Sequence, residues 1–137
     1  MKYVVRLMLV MFVAVALVAC GGGEDTSGPA AQSFTVEGDD AFVYNPNSIT
    51  VPTEAEVTIN FKNIGGLDHN WILVDDNVDV LTVTEADALA GANAGMVTGG
   101  SEKTFTFFAP TPGAYKYVCT VAGHAAGGMV GTFTVTE

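Results

Sequence analysis

The sequence predicts an all-β fold, a Greek-key sandwich of about eight strands with one short helix. Three observations carry that prediction. Val, Thr, Gly and Phe are frequent and Leu is scarce, a bias toward strands and turns over helices. Apolar and polar residues alternate with period two in several short runs, the pattern of strands buried on one face. Turn formers punctuate those runs at a spacing that suits a sandwich. A chain of 137 residues is long enough for one domain with a core and too short for two.

The strands follow in order. Residues 33–37 and 48–51 are short candidates separated by the turn Asn45-Pro46-Asn47. Val57, Ile59 and Phe61 alternate with Thr58, Asn60 and Lys62, and the pair Gly65-Gly66 ends that run. Residues 69–74, His-Asn-Trp-Ile-Leu-Val, form the next strand. The only helical patch is residues 85–90, with Thr84 placed as its N-cap. After Gly99-Gly100, Phe105 and Phe107 alternate with Thr104 and Thr106. Thr111-Pro112-Gly113 turns the chain into a strand over 115–119, in which Tyr115 and Tyr117 face inward and Lys116 and Val118 outward. Phe133 and Val135 alternate with three threonines in the last strand.

The N-terminus belongs to none of this. Lys2 and Arg6 precede an apolar run from Leu7 to Ala19, the length of a signal-peptide core and short for a membrane span. Residues 1–19 are therefore a leader, and the chain is exported. Leu17-Val18-Ala19-Cys20-Gly21 resembles a bacterial lipobox, which makes Cys20 a lipid-carrying first residue that anchors the protein at the outer, periplasmic face of a membrane. Residues 20–32, rich in Gly, Ser and Pro, read as a tether to a domain over 33–137.

Removing the leader takes away Lys2 and Arg6 and leaves three lysines against all fifteen acids. Nucleic acid is excluded as a partner by that balance. It also leaves Cys119 as the only thiol of the folded domain, so no internal disulfide is available if Cys20 is lipidated. Asp75-Asp76-Asn77-Val78-Asp79 opens like a calcium loop, but Val80 stands where Gly is required and Ala86 where the closing Glu is required. A solvated acidic turn is the expectation there.

Chemistry concentrates in one loop, Cys119-Thr-Val-Ala-Gly-His124-Ala-Ala-Gly-Gly-Met129. The chain has two histidines, and the other, His69, opens a predicted strand. Two imidazoles, a thiolate and a thioether are soft donors, and His₂Cys with a weak axial Met is the donor set of a blue-copper site. Zinc is better served by more Cys or by a carboxylate. Singly, each residue also reads as a buried thiol, a solvated His or a packing Met; together they predict one copper ion, Cu(II)/Cu(I), held by His69, Cys119, His124 and Met129.

The domain over residues 33–137 resembles the cupredoxins, the family of plastocyanin and azurin, over essentially its whole length, most clearly in the segments Asp68-His-Asn-Trp-Ile-Leu-Val74 and Tyr117 to Val135. The ligand spacing C-x₄-H-x₄-M is similar to that of auracyanins, small copper proteins of anoxygenic phototrophs. The resemblance implies that Asn70 steadies the ligand loop by hydrogen bonds near Cys119, with Thr120 as its neighbour. Two positions depart from azurins: Asp68 stands where Gly precedes the first His, and Ala122 where Pro stiffens the loop.

Small residues around His124 have a reading of their own. Ala122, Gly123, Ala125 and Ala126 are expected to form a shallow apolar docking face through which a redox partner approaches the imidazole. The function read from the sequence is thus a non-enzymatic, monomeric electron carrier. Its partners are redox proteins, a cytochrome or a membrane electron-transfer complex of a photosynthetic or respiratory chain. A periplasmic copper carrier or sensor is the alternative. A Cys-His hydrolase lacks a cleft and an orienting group.

Overall fold

The computed structural model describes residues 28–137; the expected leader, Cys20 and most of the expected tether lie outside them. Eight strands form two four-stranded sheets that face each other across one core. One sheet has the order β2-β1-β4-β6, from β1 (Gln32–Gly38), β2 (Tyr44–Asn45), β4 (Glu56–Asn63) and β6 (Glu102–Phe108). The other has the order β3-β8-β7-β5, from β3 (Ser48–Pro52), β5 (Ile72–Asp75), β7 (Gly113–Val118) and β8 (Val130–Thr136). Two pairs are parallel, β1 with β4 and β3 with β8, and the rest antiparallel. The chain crosses between sheets at Asn45-Pro46-Asn47, as the turn residues there predict.

Alternation along the strands becomes a core because each sheet buries one face. Val57, Ile59 and Phe61 of β4 are fully buried, with Phe107 opposite on β6, and Ile49, Val51, Phe133 and Val135 come from the second sheet. Trp71 stacks on Tyr117 at 5.2 Å between ring centroids, beside Phe105 and Phe107. Full burial stabilises each large apolar side chain by about 1.5–3 kcal/mol, so this aromatic cluster holds the sheets together.

The structure departs from the sequence expectations in four places. Tyr44–Asn45 is a two-residue strand with too short a run to show a period. The strand expected over 69–74 starts at Ile72, while His69 forms an isolated bridge to Val97. Residues 89–97 run along the free edge of β5, with Leu89 N–H donating to Leu73 O, Leu73 N–H to Ala92 O and Ala94 N–H to Trp71 O. No α-helix continues through 85–90, because the Leu89 N–H is taken by Leu73 O on an edge that would otherwise lack partners. Only a 3₁₀ turn, Glu85–Asp87, remains. Thr84 does occupy its N-cap, but there the Asp87 carboxylate accepts both the Thr84 N–H (2.8 Å) and hydroxyl (2.9 Å).

The fourth departure is Val118. It does face away from the main core, yet it is fully buried, because residues 76–90 fold over that face and pack Val83, with Val78, Val80 and Ala88, against Ile72, Val74 and Val118. Within the acidic turn itself, Asp79 accepts the Leu81 N–H at 2.9 Å and Asp76 pairs with Lys116 at 3.5 Å.

Gly131 on β8 lies directly opposite Tyr117 on β7, and a Cβ there would sit 2.1 Å from the tyrosine ring. The ring is fixed by its stack on Trp71 and by its hydroxyl bond to Pro46 O at 2.7 Å. Gly131→Ala is therefore expected to lower the stability of the metal-free protein by about 1–3 kcal/mol, the usual cost of overpacking, as read by urea unfolding.

Candidate metal centre

β7 ends at Val118, so Cys119 is the first residue beyond the ladder, still tied to the closing strand by its N–H to Met129 O at 3.2 Å. The loop between them bonds to itself. His124 N–H donates to Val121 O, Gly127 N–H to Gly123 O, Gly128 N–H to Ala125 O and Met129 N–H to His124 O. Gly123 and Gly128 carry φ of 86° and 114°, conformations that favour glycine. This self-bonding supplies stiffness that the missing Pro at 122 does not.

His69, Cys119 and His124 are brought together, their ligand atoms all within 4.8 Å of one another. The two Nδ1 atoms are 3.1 Å apart, and Cys119 Sγ lies 3.6 Å from His124 Nδ1. Edges of this size suit an ion about 2.0–2.3 Å from each N and S donor. Met129 is fully buried where the loop closes, its methyl lying over Gly38 and Phe61; a Cβ on Gly38 would be 2.8 Å from that methyl. Among the described residues no other group of three such donors occurs. One thiolate, two imidazoles and a thioether fit copper by their softness, and the lack of a second thiolate or a carboxylate argues against structural zinc.

Around these donors the backbone and side chains are fixed by hydrogen bonds. Asn70 N–H points at Cys119 Sγ (3.5 Å), its Oδ1 accepts the Thr120 N–H (2.7 Å), and its Nδ2 donates to Thr120 Oγ1 (2.7 Å). Asn70 and Thr120 therefore meet as the sequence resemblance implied. Four partners carried no sequence signal. Glu85 accepts from Asn70 Nδ2 at 3.1 Å, and Tyr44 hydroxyl donates to Asn70 O at 2.6 Å. Phe42, at the rarely adopted φ of 60°, packs against His124 with ring centroids 4.4 Å apart and the planes tilted by 31°. Asp40 Oδ1 sits 3.1 Å from His69 Nε2.

The docking residues divide. Ala122, Gly123 and Ala126 are exposed, but Ala125 is buried and His124 itself is only 7 % exposed. The expectation that Ala125 belongs to the surface is corrected: the loop coils on itself, so successive residues do not share a face. His124 keeps only a small exposed area, with the Phe42 ring packed against it.

Burial sets the electrostatics. It pushes the Cys119 thiol up, only partly offset by the N–H donors of Asn70 and Val121. It pushes His124 down, helped by the neighbouring His69. Asp40 is held below the usual carboxylate range by the N–H groups of Gly66 and Leu67 and then by His69.

A two-sheet sandwich that gathers Cys, two His and Met at one end of the strands defines a small type 1 copper protein. Its relatives agree. The model of the copper binding proteins of the plastocyanin/azurin family matches residues 30–136. Auracyanin-B of Chloroflexus aurantiacus is 32% identical over 136 residues, covering 86% of this chain; the chain spans 58% of that protein's length. Auracyanin-A of the same organism is 30% identical over 152 residues, covering 90% of this chain and 93% of that one. The solved dithionite-reduced auracyanin of the photosynthetic bacterium Roseiflexus castenholzii superposes with a TM-score of 0.68 at 28% identity, over 80% of this chain and 100% of that one. The chain belongs to the plastocyanin/azurin family of copper binding proteins.

A depressed His124 has a measurable consequence in the metal-free protein. The unfolded chain protonates near the ordinary value of 6.5, whereas the folded chain does so only at lower pH. The unfolded state therefore binds more protons as pH falls through that window. The contribution to stability is full above the unfolded value and is lost as pH falls toward the folded one. NMR titration of the metal-free protein is expected to place the His124 midpoint below 6.5, and urea unfolding to show stability declining from neutral pH toward acid.

Proposed function

We propose that this chain is a one-electron carrier, not an enzyme, working at the outer face of a membrane in an auracyanin-like role. The observation that carries the reading is the convergence of His69, Cys119 and His124 within 4.8 Å in a buried end of the sandwich. Copper bound there supplies a Cu(II)/Cu(I) couple. The protein's share is to hold the donors so that they need not rearrange when the charge changes, and to keep water out. Cys119, His69 and Met129 are completely buried, and Asn70 fixes the thiol side while Asp40 fixes the imidazole side.

Exposed Ala122, Gly123 and Ala126 form the proposed docking face. They present little bulk and no charge beside the His124 edge, which shortens the approach of a redox partner such as a cytochrome or a membrane complex. The lipobox-like Cys20 and the acidic domain support the rest of the proposal, a lipid-anchored carrier tethered above the membrane and kept from nonspecific contacts by its charge.

Adding copper(II) to the metal-free protein is expected to give an intense absorption band near the red end of the visible. Cys119→Ser is expected to abolish that band while the circular dichroism of the sandwich persists. A copper carrier or sensor without a blue site would show no such band in the native protein. For the anchor, mass spectrometry of protein from membranes of an expressing bacterium is expected to show a diacylglycerol adduct that disappears in Cys20→Ala; an unchanged adduct overturns the assignment.

A further inference from the structure

The Asp40 carboxylate is built into the site more firmly than a surface acid needs to be. Its Oδ1 meets His69 Nε2 at 3.1 Å and accepts the Leu67 N–H at 3.1 Å, while Oδ2 accepts the Gly66 N–H at 2.8 Å. Gly65 leaves room for it: a Cβ there would lie 2.1 Å from Asp40 Oδ1. The loop that carries Asp40 is itself ordered by Asp39, whose Oδ1 accepts the Ala41 N–H at 2.9 Å and whose O accepts the Phe42 N–H at 3.1 Å. One carboxylate thus joins the loop after β1, the loop after β4 and a buried ligand imidazole.

We propose that Asp40 is a positioning residue of the copper site, fixing the tautomer and ring plane of His69 and, through that imidazole, favouring the oxidised metal. An ionised carboxylate only accepts hydrogen bonds, so Nε2 must carry the proton and Nδ1 presents its lone pair toward His124 and Cys119. A carboxylate on the far nitrogen raises the basicity of the ligating one. The added negative charge favours the more highly charged ion, Cu(II), and so lowers the reduction potential. Asp40 is 45% exposed, so solvent weakens its direct Coulombic effect; the hydrogen bond to the buried His69 is the route that solvent screens least.

This rests on the copper reading, and the test separates the two. Asp40→Asn keeps the side chain's size and one acceptor oxygen but removes the charge; Asp40→Ala removes the contact. In the metal-free protein at about pH 8, nitrogen-15 NMR is expected to find His69 protonated on Nε2 in the native chain and redistributed toward Nδ1 in Asp40→Ala. That readout needs no copper, so it tests the positioning even if the metal assignment fails. In the copper-loaded protein, Asp40→Asn is expected to shift the Cu(II)/Cu(I) equilibrium about tenfold toward Cu(I), which is about 59 mV for one electron, with the blue band kept. Asp40→Ala is expected to weaken copper binding about 10- to 100-fold. An unchanged His69 tautomer in Asp40→Ala, or an unchanged potential in a blue Asp40→Asn protein, overturns the proposal and leaves Asp40 as a cap on two loops.

Discussion

The metal end of this protein depends on one buried amide. Asn70 follows one ligand and Thr120 follows another, and the bonds between them span 50 residues of sequence. Because Asn70 uses both its oxygen and its nitrogen on Thr120, the two chain segments are held in one register rather than merely close together. Its own N–H then has one direction left, toward Cys119 Sγ. Glu85 and Tyr44 bind the remaining polar atoms of Asn70, so the clamp is itself clamped. A carboxylate from the loop over one face and a phenol from the opposite sheet meet on this residue.

Burial makes that rigidity consequential. A thiol in an apolar core is hard to ionise and an imidazole there is hard to charge, and both tendencies are seen at Cys119 and His124. They act in opposite senses on metal binding. A depressed His124 stays neutral, and so able to ligate, at mildly acid pH, whereas the raised Cys119 must release its proton when a metal arrives. The Asn70 and Val121 N–H groups aimed at the sulfur favour the thiolate and so ease that release. The fold itself brings His69, Cys119 and His124 together, and metal binding must also remove the thiol proton.

The two sheets divide the work. Trp71, Tyr117, Phe61 and Phe133 form the common core, and the strands of both sheets end at the loops that carry the site. The face of β5 and β7 opposite that core is sealed by residues 76–90, and the free edge of β5 by residues 89–97. His69 takes its place through this edge, since its backbone exchanges both hydrogen bonds with Val97. A ligand that lies outside every regular strand is thereby as firmly placed as one within a sheet.

By itself the sequence determined the sandwich, most of its strands and the chemical identity of the donors. Period-two alternation is written over a few consecutive residues, and the softness of Cys119, His124 and Met129 is a property of their side chains, so both are legible without coordinates. The Asn70–Thr120 pairing was reachable through resemblance to cupredoxins. Only the tertiary structure decided the rest. It brought Asp40 to His69 across 29 residues, packed Phe42 against His124, and set the exposed Glu85 carboxylate on Asn70 from a stretch expected to be helical. It also buried Val118 and Ala125, which local pattern placed at the surface. These contacts are made by irregular loops that carry no period, and where such a loop folds is settled by the backbone partners and apolar surface it finds on elements distant in sequence.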